Sequence, residues 1–329
     1  VTPTIQAPIF GLADLMVRAH YGQIIFDEPV AGIANTLLDD IAVKQAAGRL
    51  TTGKRSELYE AFVGGEYLET DTGFEQRNIV GGAIVNVAAN FSAIGRYGYE
   101  RIFDPSFPLI HGQIWSAGGI IRLGQESSIH VEYGKRFGGT SWLGDVSLAL
   151  TPRTTVSGAY TDTLVPAQLT LVRGIEDLLD ENGGFDFSQP SSPNLVNPTV
   201  LDEIVRDKQA NLTAQYVYGL QTYAVSVNHF QRIFPALLDQ ESSYSVDLSL
   251  SEQLSRQMRY VFLVQYEDLY EVLGGGVTSK TYRTGLTVQY RFNEDYAAAG
   301  GYVWQLDTAT DNSADTQQSV LRFQLTRAL

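Results

Sequence analysis

Cysteine is absent from all 329 residues. That excludes disulfides, thiol nucleophiles and Cys-ligated metals, and it is compatible with an oxidising compartment such as the periplasm. The chain also lacks any run of about eighteen apolar residues, so no segment has the length and apolarity of a membrane-spanning helix. Mean hydropathy is correspondingly low, at −0.09. A membrane is not thereby excluded, because barrel strands carry their apolarity in alternation rather than in runs. Basic residues are in deficit: 23 Lys and Arg stand against 37 Asp and Glu, a net charge of −14. Nucleic acid is a poor partner for such a chain. No signal peptide is visible at Val1, and the expectation is that it was removed or that the chain begins inside a longer protein.

Reaction chemistry is missing as well. His20, His111, His130 and His229 fall on separate predicted elements without metal-ligand spacing. No Ser/His/Asp set assembles by motif. Gly274-Gly275-Gly276 precedes Lys280 at the wrong spacing for a phosphate-binding loop. Asp39-Asp40 is an isolated acidic pair. Asp307, Asp311, Asn312 and Asp315 resemble a crude calcium loop but lack its Gly and terminal Glu. A solvated acidic loop is the favoured reading there, with weak divalent binding beside lipopolysaccharide as the alternative. The expectation is a non-enzymatic protein with no catalytic residue, no cofactor and no metal site.

What the chain does have is a two-residue rhythm. Tyr282, Thr284, Leu286, Val288, Tyr290 and Phe292 share one face of an extended segment, and Arg283, Gly285, Thr287, Gln289 and Arg291 share the other. Segments of this kind, roughly ten residues long, recur along the chain, with Tyr, Trp and Phe near their ends, as in transmembrane barrels. Candidate strands lie near 10–26, 36–51, 56–68, 74–87, 92–103, 112–124, 127–137, 141–150, 153–164, 207–218, 221–232, 242–252, 256–268, 277–292, 295–307 and 316–327. The fold class is therefore all-β: a transmembrane antiparallel up-and-down β-barrel of about sixteen strands, more if the N-terminus is incomplete. Residues 1–329 form one barrel domain in this reading.

Connections sort by length. Tight turns are expected at Gly124-Gln125-Glu126, Thr151-Pro152-Arg153, Tyr218-Gly219-Leu220 and Asn293-Glu294-Asp295. Longer, more acidic loops are expected at 104–111, 165–206, 233–241, 269–276 and 308–315. Short periplasmic turns and long extracellular loops orient a barrel in the outer membrane of a Gram-negative bacterium. The 165–206 segment is the longest. Leu171, Ile175, Leu178 and Leu179 have helical spacing, and Asn182-Gly183-Gly184 stops the pattern. A loop folded into or over the pore and a surface loop with one amphipathic helix both remain open.

The apolar phase assigns Ile129, Val131 and Tyr133, Tyr260, Phe262, Val264 and Tyr266, and Leu321, Phe323 and Leu325 to lipid. The opposite phase supplies the candidate pore lining: Arg96, Arg122, His130, Glu132, Arg136, Arg259, Glu267, Arg283, Gln289, Arg291 and Arg322. A charge facing hydrocarbon costs about 2–4 kcal/mol at the midplane, whereas a wet lumen tolerates it. Two readings stand for Arg259, Arg283, Arg291 and Arg322, which cluster on nearby C-terminal strands. They form a basic wall for an anionic solute, or they pair across strands with Glu132, Glu267, Asp145 and Asp247; the second is favoured.

Particular segments resemble a known family. GYERIFDPSFPLIHGQIWSAG at 98–118 is followed by VEYGKRFGGTSWLGDVSLALTPRTTVSGAYTDTL at 131–164, and PIFGLADLMVRAHY stands at 8–21. These resemble the β-barrel porins associated with exopolysaccharide and PEP-CTERM (exosortase) gene systems, with Gln113 where that family often has Pro. The resemblance covers most of the chain, is densest over 91–165 and thins after about 230. It implies an outer-membrane passage for polysaccharide, working beside a periplasmic polysaccharide export protein and among outer-membrane lipids and lipopolysaccharide. It supplies no catalytic residues. The rival readings are a general diffusion porin for small solutes and a structural scaffold with a plugged lumen.

Overall fold

The computed structural model describes residues 3–9, 13–24, 41–52, 58–105, 107–166, 204–234, 239–271, 277–293, 296–309 and 315–327. All regular structure among them is β-strand. The chain divides into two compact units, centred on residues 1–145 and on residues 146–163 with 206–329.

In the first unit β1 (Thr4–Ile9), β2 (Ala13–Ile24), β3 (Ile41–Thr52), β4 (Tyr59–Thr70), β5 (Glu75–Ala88), β6 (Phe91–Asp104), β7 (Phe107–Arg122) and β8 (Ser128–Arg136) follow one another. Each pairs antiparallel with the next, from Thr4↔Arg18 on β1–β2 to Arg122↔Ser128 on β7–β8. β9 (Gly139–Thr151) continues from this unit into the second. There β10 (Thr154–Pro166), β11 (Ile204–Tyr218), β12 (Gln221–Phe234), β13 (Asp239–Gln253), β14 (Met258–Glu271), β15 (Val277–Arg291), β16 (Tyr296–Ala309) and β17 (Thr316–Arg327) follow. Neighbours from β11 to β17 again pair antiparallel, in unbroken registers. This is the up-and-down antiparallel architecture of a transmembrane β-barrel.

Strand β13 shows why the sequence folds this way. Tyr244, Val246 and Leu248 are 59%, 39% and 48% exposed, while Ser243, Ser245 and Asp247, on the alternate positions, are 2–3% exposed. In a protein surrounded by water the apolar face would be the hidden one. Here the hidden face is polar and the exposed face apolar, the arrangement that hydrocarbon outside requires. Tyr282 and Tyr290 bracket the apolar stretch on the exposed face of β15, with the exposed Lys280 beyond Tyr282. Eight residues at ~3.4 Å each separate them by about 27 Å along the strand, which matches an apolar band ~25 Å tall for a tilted strand. Tyr266 lies against Tyr282 with ring centroids 5.2 Å apart, and Tyr290 against Phe292 at 5.0 Å, so aromatic contacts mark the two borders.

Among the described residues seventeen strands occur, in line with about sixteen or more; β1 is a further six-residue strand, and Pro8 within it removes a ladder donor and blurs its pattern. Two expectations change. The segment 104–111 is not a long loop. β6 runs to Asp104 and β7 resumes at Phe107, so this connection is a tight one. β11 begins at Ile204, inside the stretch assigned to the 165–206 loop. The helical pattern at Leu171–Leu179 and the Asn182-Gly183-Gly184 stop lie outside the described residues, as do Asp39-Asp40 and Asp311-Asn312. A further tight hairpin joins β8 to β9. Phe137 (φ 54°) and Gly138 (φ 74°) are both left-handed, as a two-residue turn between twisted strands demands.

Candidate pore-lining face

The polar face of β6–β9 carries one connected cluster. Arg96 Nη2 donates to Glu132 Oε1 at 2.8 Å, and Ser116 Oγ donates to Glu132 Oε2 at 2.6 Å. His130 spans two carboxylates: Nε2 lies 2.8 Å from Glu132 Oε1 and Nδ1 lies 2.8 Å from Asp145 Oδ1. Glu132 is 2% exposed, so these contacts stabilise a carboxylate that water does not reach. The register explains the meeting. Arg96, Ser116 and Gly134 occupy one cross-strand row, and Glu132 is opposite Gly118, whose missing side chain leaves room for it.

Nearer the hairpin, Glu100 accepts the backbone N–H of Phe137 and lies 3.9 Å from Arg136 Nε. The Arg136 guanidinium sits 4.6 Å above the Phe137 ring. At the other end of β7, Arg122 Nη1 donates to Ser92 Oγ at 2.8 Å, and Ser92 donates on to Asn86 Oδ1 at 2.6 Å.

The polar face of the second unit is richer in hydroxyl and amide groups. One row runs Thr213, Ser226, Asp247, Gln265, Arg283, Gln305, Gln318 from β11 to β17. Its neighbour runs Asn211, Asn228, Ser245, Glu267, Thr281, Asp307, Thr316. Arg283 donates from Nη1 to Gln265 Oε1 at 3.2 Å and from Nη2 to Gln305 Oε1 at 2.8 Å. Asp307 accepts from Thr281 Oγ1 at 2.7 Å and from Gln305 Nε2 at 2.9 Å. Asp307 therefore takes part in the strand network, while Asp311 and Asn312 of the acidic segment lie outside the described residues. Towards the β12–β13 connection, Arg232 lies between Asp207 (3.3 Å) and Glu241 (3.5 Å); Arg206, on the alternate phase of β11, grips Asp162 through two bonds at 2.9 and 2.7 Å.

The candidate residues thus divide. Arg96, His130 and Glu132 meet directly, and Arg136 stands by Glu100. Glu267 and Arg283 share the β14–β15 patch. Arg259 donates to Ser251 Oγ at 2.8 Å and is opposite Gln289 in register. Arg122 and Arg291 stand at strand ends, Arg291 opposite Ala297, and Arg322 is opposite Gly301. Glu132 takes Arg96 and Asp145 takes His130, neither of them one of the four C-terminal arginines; of those four, Arg259 bonds to Ser251 and Arg283 to Gln265 and Gln305. The carboxylates of Asp162, Asp207 and Glu241 and their arginines lay outside the candidate set. Asp162, Asp207 and Arg232 fall at the ends of the strands expected from sequence, and Arg206 and Glu241 fall in the loops expected at 165–206 and 233–241, where alternation gives no signal.

No family model matches the chain, and no curated protein sequence matches it. Solved structures do. The copper transporter OprC is 10% identical with a TM-score of 0.50, over 97% of this chain and 63% of that one. A bacterial polysaccharide outer membrane secretin is 12% identical with a TM-score of 0.42, over 98% and 99% of the two chains. An anion-selective porin from Comamonas acidovorans is 11% identical with a TM-score of 0.38, over 100% of both. At such identities the likeness is one of fold alone, and the fold is that of the Gram-negative outer-membrane β-barrels.

Proposed function

We propose that the chain forms a non-enzymatic outer-membrane passage for exopolysaccharide, with residues 1–329 acting as one barrel domain. The observation that carries this reading is the polar face of β12–β14. Its hydroxyl and amide side chains include Ser226, Asn228, Ser243, Ser245, Ser249, Ser251 and Gln265. Such a face offers many weak, interchangeable hydrogen bonds to a polyhydroxylated polymer and no single strong anchor, so a sugar chain exchanges partners as it advances. The motif resemblance at 98–118 and 131–164 points to the same cargo. The pore lining in this proposal is the face bearing Arg96, His130, Glu132, Arg136, Arg259, Glu267, Arg283, Gln289 and Arg322, with Arg122 and Arg291 at its rims.

On this face Ser243, Ser245, Asp247, Gln265 and Glu267 are each 2–4% exposed, so the groups that meet a passing chain are the half-buried Ser226, Asn228, Ser249 and Ser251. The expected result in a strain deleted for the gene is a loss of secreted polysaccharide, restored by the full chain. Unchanged secretion overturns the reading. Liposomes containing the purified protein should swell little in small sugars; rapid swelling without a partner would identify a general diffusion porin instead.

A further inference from the structure

Asp247 on β13 and Glu267 on β14 are each 3% exposed. Asp247 is opposite Gln265 and Ser245 is opposite Glu267, which makes the two acids diagonal neighbours on the polar face. That relation brings their Cβ atoms to about 7 Å or less, within reach of a shared ligand. Asp247 Oδ2 accepts the Asn228 amide at 2.8 Å. Asp247 Oδ1 and Glu267 Oε1 are buried and have no hydrogen-bond partner among the described residues. A buried polar atom left unmatched costs about 1–3 kcal/mol, and more when charged.

The surrounding charges do not close the account. Arg283 is on the same face, opposite Gln265, and hydrogen-bonds to the amide oxygens of Gln265 and Gln305. Asp307 adds a third carboxylate two strands away from Glu267, opposite Thr281. Arg283 and Arg322 therefore supply two positive charges against three negative ones. The two unmatched oxygens are the place where the missing charge belongs.

We propose that Asp247 and Glu267 together hold a hard divalent cation, with calcium as the occupant that fits. Every donor on the patch is oxygen: two carboxylates, the Ser245 hydroxyl beside Glu267 and the Gln265 amide beside Asp247. Oxygen donors select calcium or magnesium over the softer transition metals. Calcium accepts irregular sets of six to eight oxygens, water included, whereas magnesium demands a tight octahedron that two strands on a fixed register do not supply. No cluster of three or more His, Cys, Asp or Glu side chains suited to a metal occurs among the described residues. A two-carboxylate site is accordingly weak, in the range of about 0.1–1 mM shared by extracellular calcium modules. The site goes beyond the passage proposal and does not depend on the cargo.

The test uses the purified full chain in detergent micelles. Thermal unfolding and calorimetric titration are measured with calcium and with magnesium, on the native protein and on the Asp247→Asn/Glu267→Gln double variant. The expected result is one calcium site with a Kd near 1 mM, a melting temperature that rises with calcium, and a smaller rise with magnesium. The double variant should show neither the heat nor the rise, and without calcium it should melt no lower than the native protein. Should the double variant fail to fold, Asp247→Asn alone should weaken calcium binding about tenfold, the size of one lost 1.4 kcal/mol contact. A native protein indifferent to calcium overturns the proposal, as does a variant that keeps the calcium-dependent rise. Stabilisation of the native protein by acid alone, with no calcium effect, would assign the role to a shared proton and overturn it equally.

Discussion

At the scale of single residues, Glu132 is the side chain on which most depends in the first unit. It receives Arg96, Ser116 and His130 within 2.6–2.8 Å and is almost wholly shielded. Glu132→Gln keeps the shape but removes the charge and turns one acceptor into a donor facing donors. The expected cost is about 2 kcal/mol, below the full value of a broken buried pair because Arg96 remains 35% exposed and rehydrates. Denaturant unfolding in micelles, followed by tryptophan fluorescence, measures it. Adding Arg96→Met should recover about 1 kcal/mol, since the double variant no longer strands a guanidinium; strictly additive losses would show that the pair does not couple. The sequence exposes part of this cluster. Arg96, His130 and Glu132 were readable as polar-face residues from alternation alone. Ser116 and Asp145 were not readable as their partners, because a contact across strands depends on register, and register is set by turns far from the residues concerned.

At the scale of strands and turns, the glycines on the polar face decide how closely neighbouring strands approach. A Cβ on Gly134 would lie 1.9 Å from the Trp115 carbonyl oxygen and 2.7 Å from Ser116 Cα, both backbone atoms that cannot turn aside. A Cβ on Gly95 of β6 would meet nothing within 4 Å. Gly134→Ala should therefore cost about 3 kcal/mol or more, while Gly95→Ala should be close to neutral. The heat-dependent shift in electrophoretic mobility that distinguishes folded from unfolded barrels reports both. Equal tolerance of the two changes would refute the close approach of β7 and β8. Element existence was largely legible here because each strand alternates strongly. Element ends were less so. Ile204–Asp207 has no clear alternation of its own, with Ile204, Val205 and Asp207 all buried, and it continues as strand because β12 supplies partners from Arg206↔Ile233 onward. Likewise the sequence reads as a long loop at 104–111, whereas the ladder resumes at Phe107 as soon as the turn is made.

At the scale of the whole molecule, charge arrangement separates two kinds of passage. The chain is strongly acidic, and arginines on the polar face have partners: Arg96 takes Glu132, Arg232 takes Asp207 and Glu241, Arg283 takes the Gln265 and Gln305 amides, and Arg122 and Arg259 take serine hydroxyls. A partnered guanidinium exerts little field on a passing solute, because its carboxylate cancels it within a few ångströms. What remains locally around Arg283 is the surplus of Asp247, Glu267 and Asp307 over Arg283 and Arg322, with Arg259 and Arg291 eight residues further along β14 and β15. Under the passage proposal, planar bilayers holding the protein across a potassium chloride gradient should therefore show a reversal potential of cation preference. Millimolar calcium should reduce that preference by neutralising the surplus, and so should Asp247→Asn/Glu267→Gln. Arg283→Gln should increase it. A marked anion preference would instead restore the arginines as a basic wall and refute the paired arrangement as the source of selectivity. Absence of any conductance would count against an open passage while leaving the charge pairing untouched, so the two ideas fail by different observations.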